Sequence, residues 1–106
     1  MLPKNRRIDK ELFQSIMKTG KTASNSLFLF RYISQKQPKY AFVAPKTIAK
    51  EASSRNKLRR QGYNSLRVLP LPQCAGIFFF KKQAKLAQLR EIKEGVTDII
   101  DKIHPK

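Results

Sequence analysis

Residues 74–80, CAGIFFF, are apolar almost without interruption. A short run of this kind reads as a strand in a buried, central position of a sheet. Two further runs extend the pattern. LFLFRYI, residues 27–33, alternates with period two. Leu27, Leu29, Arg31 and Ile33 fall on one face, and Phe28, Phe30 and Tyr32 on the other. The face that carries a cation is expected to be partly open. KYAFVA, residues 39–44, forms another strand, with Pro38 marking the turn before it and Pro45 its end. The Phe78–Phe80 run suits either core packing or a stacking platform for bases. No basic residue interleaves with it, so core packing is the preferred reading.

Helices frame these strands. Asp9 is a suitable N-cap and Gly20 a suitable stop, which predicts a helix over Asp9–Lys18. Leu12 and Ile16 make a core stripe on it. Phe13 and Met17 repeat the spacing one position on, so the apolar stripe is wider than one sheet contact demands. Either that whole face is buried, or Phe13 and Met17 line the edge of a groove. Near the C-terminus, Leu89, Ile92, Val96, Ile99, Ile100 and Ile103 fall within an arc of roughly 100° at 3.6 residues per turn. That is a packing helix, in which Gly95 is expected to cost about 1 kcal/mol relative to Ala. His104 falls in the terminal HisProLys and reads as solvated.

The chain has 106 residues, 41% of them hydrophobic, and a net charge of +16. Its length fits one domain, residues 1–106, with a small core. Excess charge of this size repels itself in a compact state and points to a polyanionic partner. No apolar run approaches the roughly 20 residues of a spanning helix, so no membrane partner is expected. The N-terminal stretch MLPKNRRIDKELF lacks the apolar centre of a signal peptide. Cys74 is the single cysteine. It offers neither a disulfide framework nor a metal cluster, reads as a small core hydrophobe, and suits a reducing, cytoplasmic setting.

The charge is uneven. Lys46 to Arg67 holds seven basic residues and one acid, Glu51. SSRNKLRRQGY, residues 53–63, lies inside it. Residues 53–67 are expected to form a helix, with Ser53 or Ser54 as cap. On a wheel, Leu58, Leu66 and Leu69 cluster on one side around Gly62, which would let the backbone approach a sheet closely. Arg59, Tyr63, Asn56, Arg67 and Arg60 sweep the adjoining face, with Arg55 at its edge. Leu58 holds the helix down. Guanidinium groups can clamp phosphates bidentately, Asn56 can meet a base edge or 2′-hydroxyl, and Tyr63 can stack on a base. The bland alternative is a solvated face that aids solubility; a single acid among seven cations speaks against it.

The same residues resemble the signature of the bacterial ribonuclease P protein subunit. That family carries an Arg-Asn-Arg-x-Lys-Arg segment on a helix, and RNKLRR stands here at 55–60. Leu2-Pro3-Lys4, Phe13, Gly20-Lys21, FVAPKT with Lys46, and the closing strand and helix follow the family's order along nearly the whole chain. The resemblance implies an α/β sandwich with a four-stranded sheet, element order α-β-β-β-α-β-α, and a left-handed βαβ crossover as in a domain of a small-subunit ribosomal protein. It implies that Arg55, Asn56, Lys57 and Arg60 face the catalytic ribonuclease P RNA. Arg59 and Tyr63 would lie toward a groove for the 5′ leader of precursor tRNA. Phe13, Met17, Arg31 and Lys46 would complete that groove.

There are departures from the family pattern. Lys57 stands where Arg is usual, and Gln61-Gly62-Tyr63-Asn64 replaces x-x-Arg-Glu. One extra residue separates Lys46 from Arg55, and Phe13 sits closer to Arg7-Ile8 than the family spacing suggests. No catalytic constellation is legible in seven acids and one histidine. By resemblance, the RNA subunit hydrolyses the phosphodiester with Mg2+ that it binds itself; the protein binds no cofactor and no small-molecule substrate. Two rivals share the composition. One is a structural RNA-binding protein, such as a ribosomal protein, with no role in cleavage. The other is a DNA-binding protein, which the absence of a helix-turn-helix pair and the Gly62 interruption disfavour.

Overall fold

The computed structural model describes residues 8–67, 69 and 71–103. Leu2-Pro3-Lys4, Arg7 and His104 lie outside them. The elements run α1 (Lys10–Thr19), β1 (Lys21–Ser24), β2 (Phe28–Ser34), β3 (Lys39–Val43), α2 (Ala52–Leu66), β4 (Cys74–Phe80), a 3₁₀ turn (Lys82–Leu86) and α3 (Leu89–Ile103). This is the α-β-β-β-α-β-α order. The sheet has the strand order β1-β2-β4-β3. β4 lies antiparallel to β2 and parallel to β3, so α2 serves as the crossover. The apolar run at 74–80 does take a central position. β1 was not read as a strand from its residues. It is short, polar, mostly exposed and paired on one side only, so it carries no periodic apolar signal.

Period-two alternation divides the sheet chemically. Phe28, Phe30, Tyr40, Phe42, Phe78 and Phe80 enter the main core with Leu58, Leu66, Ile92, Val96, Ile99 and Ile100 from α2 and α3. On the opposite face a smaller cluster forms around Ile16, Ala75 and Ile77. Each large apolar side chain buried in this way contributes about 1.5–3 kcal/mol. α1 is pinned there by Ile16, its one buried residue. Asp9 caps it, accepting from the Leu12 N–H at 2.8 Å, and the Gly20 N–H closes it on the Ile16 carbonyl at 2.8 Å.

Cys74 is buried beside the Tyr40 hydroxyl at 3.3 Å, and that hydroxyl donates to the Pro72 carbonyl at 2.9 Å. Burial pushes both the thiol and the phenol above their ordinary ranges. Cys74 is thus a buried core residue, as its sequence context suggests. Asn25 ties the β1–β2 turn to α3. Its side-chain oxygen accepts from the Leu27 and Phe28 N–H groups, and its amide donates to the Gly95 carbonyl and the Asp98 carboxylate.

Three expectations change. Neither Ser53 nor Ser54 caps α2; Glu51 occupies the N-cap without a side-chain bond. Arg55 instead ties the first turn to the preceding loop, donating to the Ala49 and Lys50 carbonyls at 3.0 and 2.8 Å. Leu89, counted with the packing arc of α3, is 40% exposed. Gly95 is not a tolerated defect. A Cβ there would stand 2.9 Å from the Phe28 ring, so glycine lets α3 approach the sheet. Gly62 plays the same part in α2, where a Cβ would come within 2.5 Å of the Phe42 ring.

Gly62→Ala therefore sets two effects against each other. Helix propensity favours alanine by about 1 kcal/mol, whereas overpacking against a buried ring costs about 1–3 kcal/mol. Urea denaturation of the variant is expected to show a net loss of stability. A gain would mean that Phe42 yields freely.

Candidate RNA interface

Two surfaces carry the residues singled out in the sequence, and the sheet separates them. The first is the α1 face. There the registers align Leu29, Phe79 and Val43 in one row across β2, β4 and β3. Arg31, Ile77 and Ala41 form the next row, and Ile33, Ala75 and Lys39 the third. Ile77 and Ala75 are fully covered, but Leu29, Phe79 and Val43 are only half-buried. Phe13 is half-buried and, like Val43 and Phe79, packs against the smaller cluster. Met17 is 42% exposed. The wide apolar stripe of α1 is thus not wholly buried. Beside it the Leu29–Phe79–Val43 row is incompletely covered, which leaves an apolar strip, the α1 groove, partly open.

This strip was missed in the sequence. Phe78 and Phe80 are core residues, as expected, but alternation turns Phe79 to the other face. The objection that no cation interleaves with the run applies only along the chain. In the fold, cations come from other elements. Lys46 stands exposed just beyond the end of β3.

Arg31 lies on the groove face and is committed to α1. Its guanidinium donates to the Met17 carbonyl at 3.0 Å and the Gly20 carbonyl at 3.4 Å, and reaches Thr22 Oγ1 at 3.5 Å. Its Nε is buried without a partner among the described residues. A cation at the C-terminal carbonyls of a helix is favoured by the helix dipole as well as by its hydrogen bonds. Arg31 therefore fixes the end of α1 over the sheet.

The second surface is α2, which the helical wheel divides into three flanks. Leu58, Gly62, Ser65 and Leu66 are buried. Beside them, Arg55, Arg59 and Tyr63 follow at intervals of four along the flank that meets the β3 edge. Tyr63 marks this contact. Its hydroxyl accepts from the Phe42 N–H at 3.3 Å, and its ring meets Phe42 edge-on at 5.0 Å. β3 is an edge strand, so Tyr63 covers a backbone donor that would otherwise be unpaired. Asn56, Arg60 and Arg67 form the outer, exposed flank. Lys57, Gln61 and Ser54 form the third, toward α3. Arg59 bridges the first two flanks by donating to the Asn56 side-chain oxygen. The residues first grouped as one cationic sweep are thus parted, with Tyr63 brought to the strand edge, Asn56 and Arg60 on the exposed flank, and Arg59 between them, bonded to Asn56.

The sequence model of the ribonuclease P family matches residues 2–104. The chain belongs to the ribonuclease P protein family. Its fold is similar to that of the ribonuclease P protein of Staphylococcus aureus, with a TM-score of 0.85 at 19% identity, covering 93% of this chain and 95% of that one. It is also similar to the ribonuclease P protein of Thermotoga maritima, with a TM-score of 0.77 at 19% identity, covering 88% and 92%. No curated protein matches the chain by sequence. At such identities the structural likeness carries the fold, and the family match carries the membership. Membership brings a role as the protein subunit of an endoribonuclease complex with a ribonuclease P RNA partner. No helix among the described residues is long and apolar enough to cross a membrane. Nor does any group of His, Cys, Asp and Glu among them gather as a metal site.

Arg31→Met keeps the aliphatic stem and removes the bonds to α1. A hydrogen bond from a charged donor contributes about 1.5–3 kcal/mol. Hydrogen exchange is expected to show α1 amides opening roughly tenfold faster or more, with β4 amides unchanged. Unchanged α1 protection would show that Ile16 alone holds the helix.

Proposed function

We propose that this protein grips the single-stranded 5′ leader of precursor tRNA in the α1 groove and holds the catalytic RNA with α2, so assisting endonucleolytic maturation of the tRNA 5′ end. The observation that carries this reading is the half-buried Leu29–Phe79–Val43 row beside the exposed Met17 on a chain of net charge +16. Stacking of bases on an aromatic side chain is worth about 1–3 kcal/mol per base and tolerates any sequence. A leader that differs between precursors needs that kind of hold.

Each part has a physical task. Phe13, Met17 and Phe79 offer apolar and aromatic contact to bases. Arg31 sets the position of the α1 wall. Lys46 and Arg59 neutralise leader phosphates at the β3 end of the groove, and Tyr63 supports Arg59 from the strand edge. Arg55, Asn56, Lys57 and Arg60 meet the catalytic RNA. Arg55 does so while its guanidinium also holds the Ala49 and Lys50 carbonyls. Two RNAs repel each other through their phosphates, and a cationic body between them removes much of that cost. Hydrolysis belongs to the RNA subunit, which supplies bound Mg2+. The chain acts as a single RNA-binding domain over residues 1–106, in the cytoplasm.

The test is precursor-tRNA cleavage by a bacterial ribonuclease P RNA at low magnesium, with and without the protein. Restored cleavage at the mature 5′ end is expected. RNA binding without any effect on cleavage, repeated with the RNA subunit from the same source, would support a structural RNA-binding protein instead. Arg59→Ala is expected to weaken precursor binding while leaving mature tRNA binding nearly unchanged; equal losses for both would refute its leader assignment.

The salt dependence provides a second check. Each lost phosphate contact is expected to flatten the log–log slope of binding by about 0.7–0.9. Arg60→Ala should do so for the catalytic RNA, and an unchanged slope would remove Arg60 from that contact.

A further inference from the structure

A cleft of about 780 Å³ opens on the third flank of α2, between that helix, the loop after β3 and the start of α3. It lies on the sheet face opposite the α1 groove. Its volume is in the range of sites that hold a ligand-sized group. Three separate elements each bring one lysine to its lining: Lys50 from the loop, Lys57 from α2 and Lys85 from the 3₁₀ turn. Glu51 is the one acid among the lining residues. The apolar part includes the buried Ile48 and Leu58, Ala49 and Ala87, and the 40% exposed Leu89. Leu89 and Met17 are the two large apolar side chains exposed among the described residues, and each borders a groove. An apolar wall ringed by separated ammonium groups matches an amphipathic anion with one flat apolar face. Lysine meets phosphate as a point charge without demanding a fixed orientation.

We infer that this cleft receives one unpaired nucleotide of an RNA strand bound along α2, with the base against Leu58 and Leu89 and its phosphates among Lys50, Lys57 and Lys85. This rests on the reading that α2 meets RNA. Within α2, Lys57 adjoins Asn56, so the cleft continues the outer flank that carries Asn56 and Arg60. A strand crossing that flank can turn one base inward without leaving the cationic surface. Gln61 and Ser54 stand at the rim with neutral donors and acceptors for a base edge.

The test uses the full-length, isotope-labelled protein with two probes, a single-stranded uridine hexaribonucleotide and an abasic hexamer with the same phosphates. The uridine hexamer is expected to shift the Leu58, Ala87 and Leu89 amides and, through the apolar surface its base buries, to bind at this cleft about fivefold more tightly than the abasic one. Leu89→Ser is expected to abolish that difference, and Lys85→Glu to weaken both probes. The two positions are exposed, and unchanged shifts elsewhere in α3 verify that each variant folds. Equal binding of the two hexamers at these amides, a difference that survives Leu89→Ser, or shifts confined to the α1 groove would each overturn the inference. Such results beside intact stimulation of low-magnesium cleavage would leave the subunit reading standing. Absent stimulation by the unaltered protein would count against that reading whatever the hexamers do.

Discussion

Phe78 is the side chain around which the structure is built. It is fully buried at the middle of the central strand. Its ring lies 4.3 Å from Phe30, 4.7 Å and nearly parallel to Phe42, and 5.5 Å from Phe28. Aromatic pairs of this kind contribute about 0.5–1.5 kcal/mol each beyond the area they bury. That layer matters more here than in a neutral domain, because the net charge of +16 opposes compactness. The glycines at 62 and 95 serve the same layer. They bring α2 and α3 close enough to seal Phe42 and Phe28 from water.

Placing nearly all the aromatic bulk on one face leaves the other face lightly covered. Among the described residues, α1 and the preceding Ile8 lie there, with α1 held by Ile16 and by the Arg31 guanidinium at its C-terminal carbonyls. The apolar groove follows from this imbalance: a single ten-residue helix cannot cover three strands. On the aromatic face, α2 is anchored by one narrow stripe, and its remaining circumference is free to carry cations. The division of labour proposed between a leader-binding groove and an RNA-facing helix is therefore the two-sidedness of the sheet expressed as charge and exposure.

What was legible in the sequence depended on how much each signal owed to local periodicity. The last helix and the central strand have the ranges their apolar patterns predict, because in both the pattern coincides with burial except at Leu89 and Phe79. The alternation in residues 27–33 sorted Phe28 and Phe30 from Leu29 and Arg31 correctly for the same reason. β1 left no trace, since an edge strand made of Lys21, Thr22, Ala23 and Ser24 is specified by its partner and not by its own residues. The α2 cap was misread because serine is a good local cap, but the helix begins two residues earlier, with Glu51 at the N-cap and Ser53 and Ser54 already inside its first turn. Tyr63 looked free on a helical wheel, yet it is recruited by the unpaired edge of β3, which no wheel can show. Phe79 was hidden in an apolar run whose neighbours are buried; only the register with Leu29 and Val43 reveals it as part of the open strip. The family resemblance supplied the fourth strand and the element order that periodicity could not.

The central claim is that the leader follows the α1 face and the β3 edge, while the catalytic RNA lies on the outer flank of α2. It is tested most directly by photo-cross-linking in the assembled complex, using precursor tRNA with 4-thiouridine in the leader and mapping the attached peptides. Leader cross-links at Met17 or Phe79, with none at Asn56 or Arg60, are the predicted result. Leader cross-links that concentrate on Asn56 and Arg60 and spare α1 would contradict it.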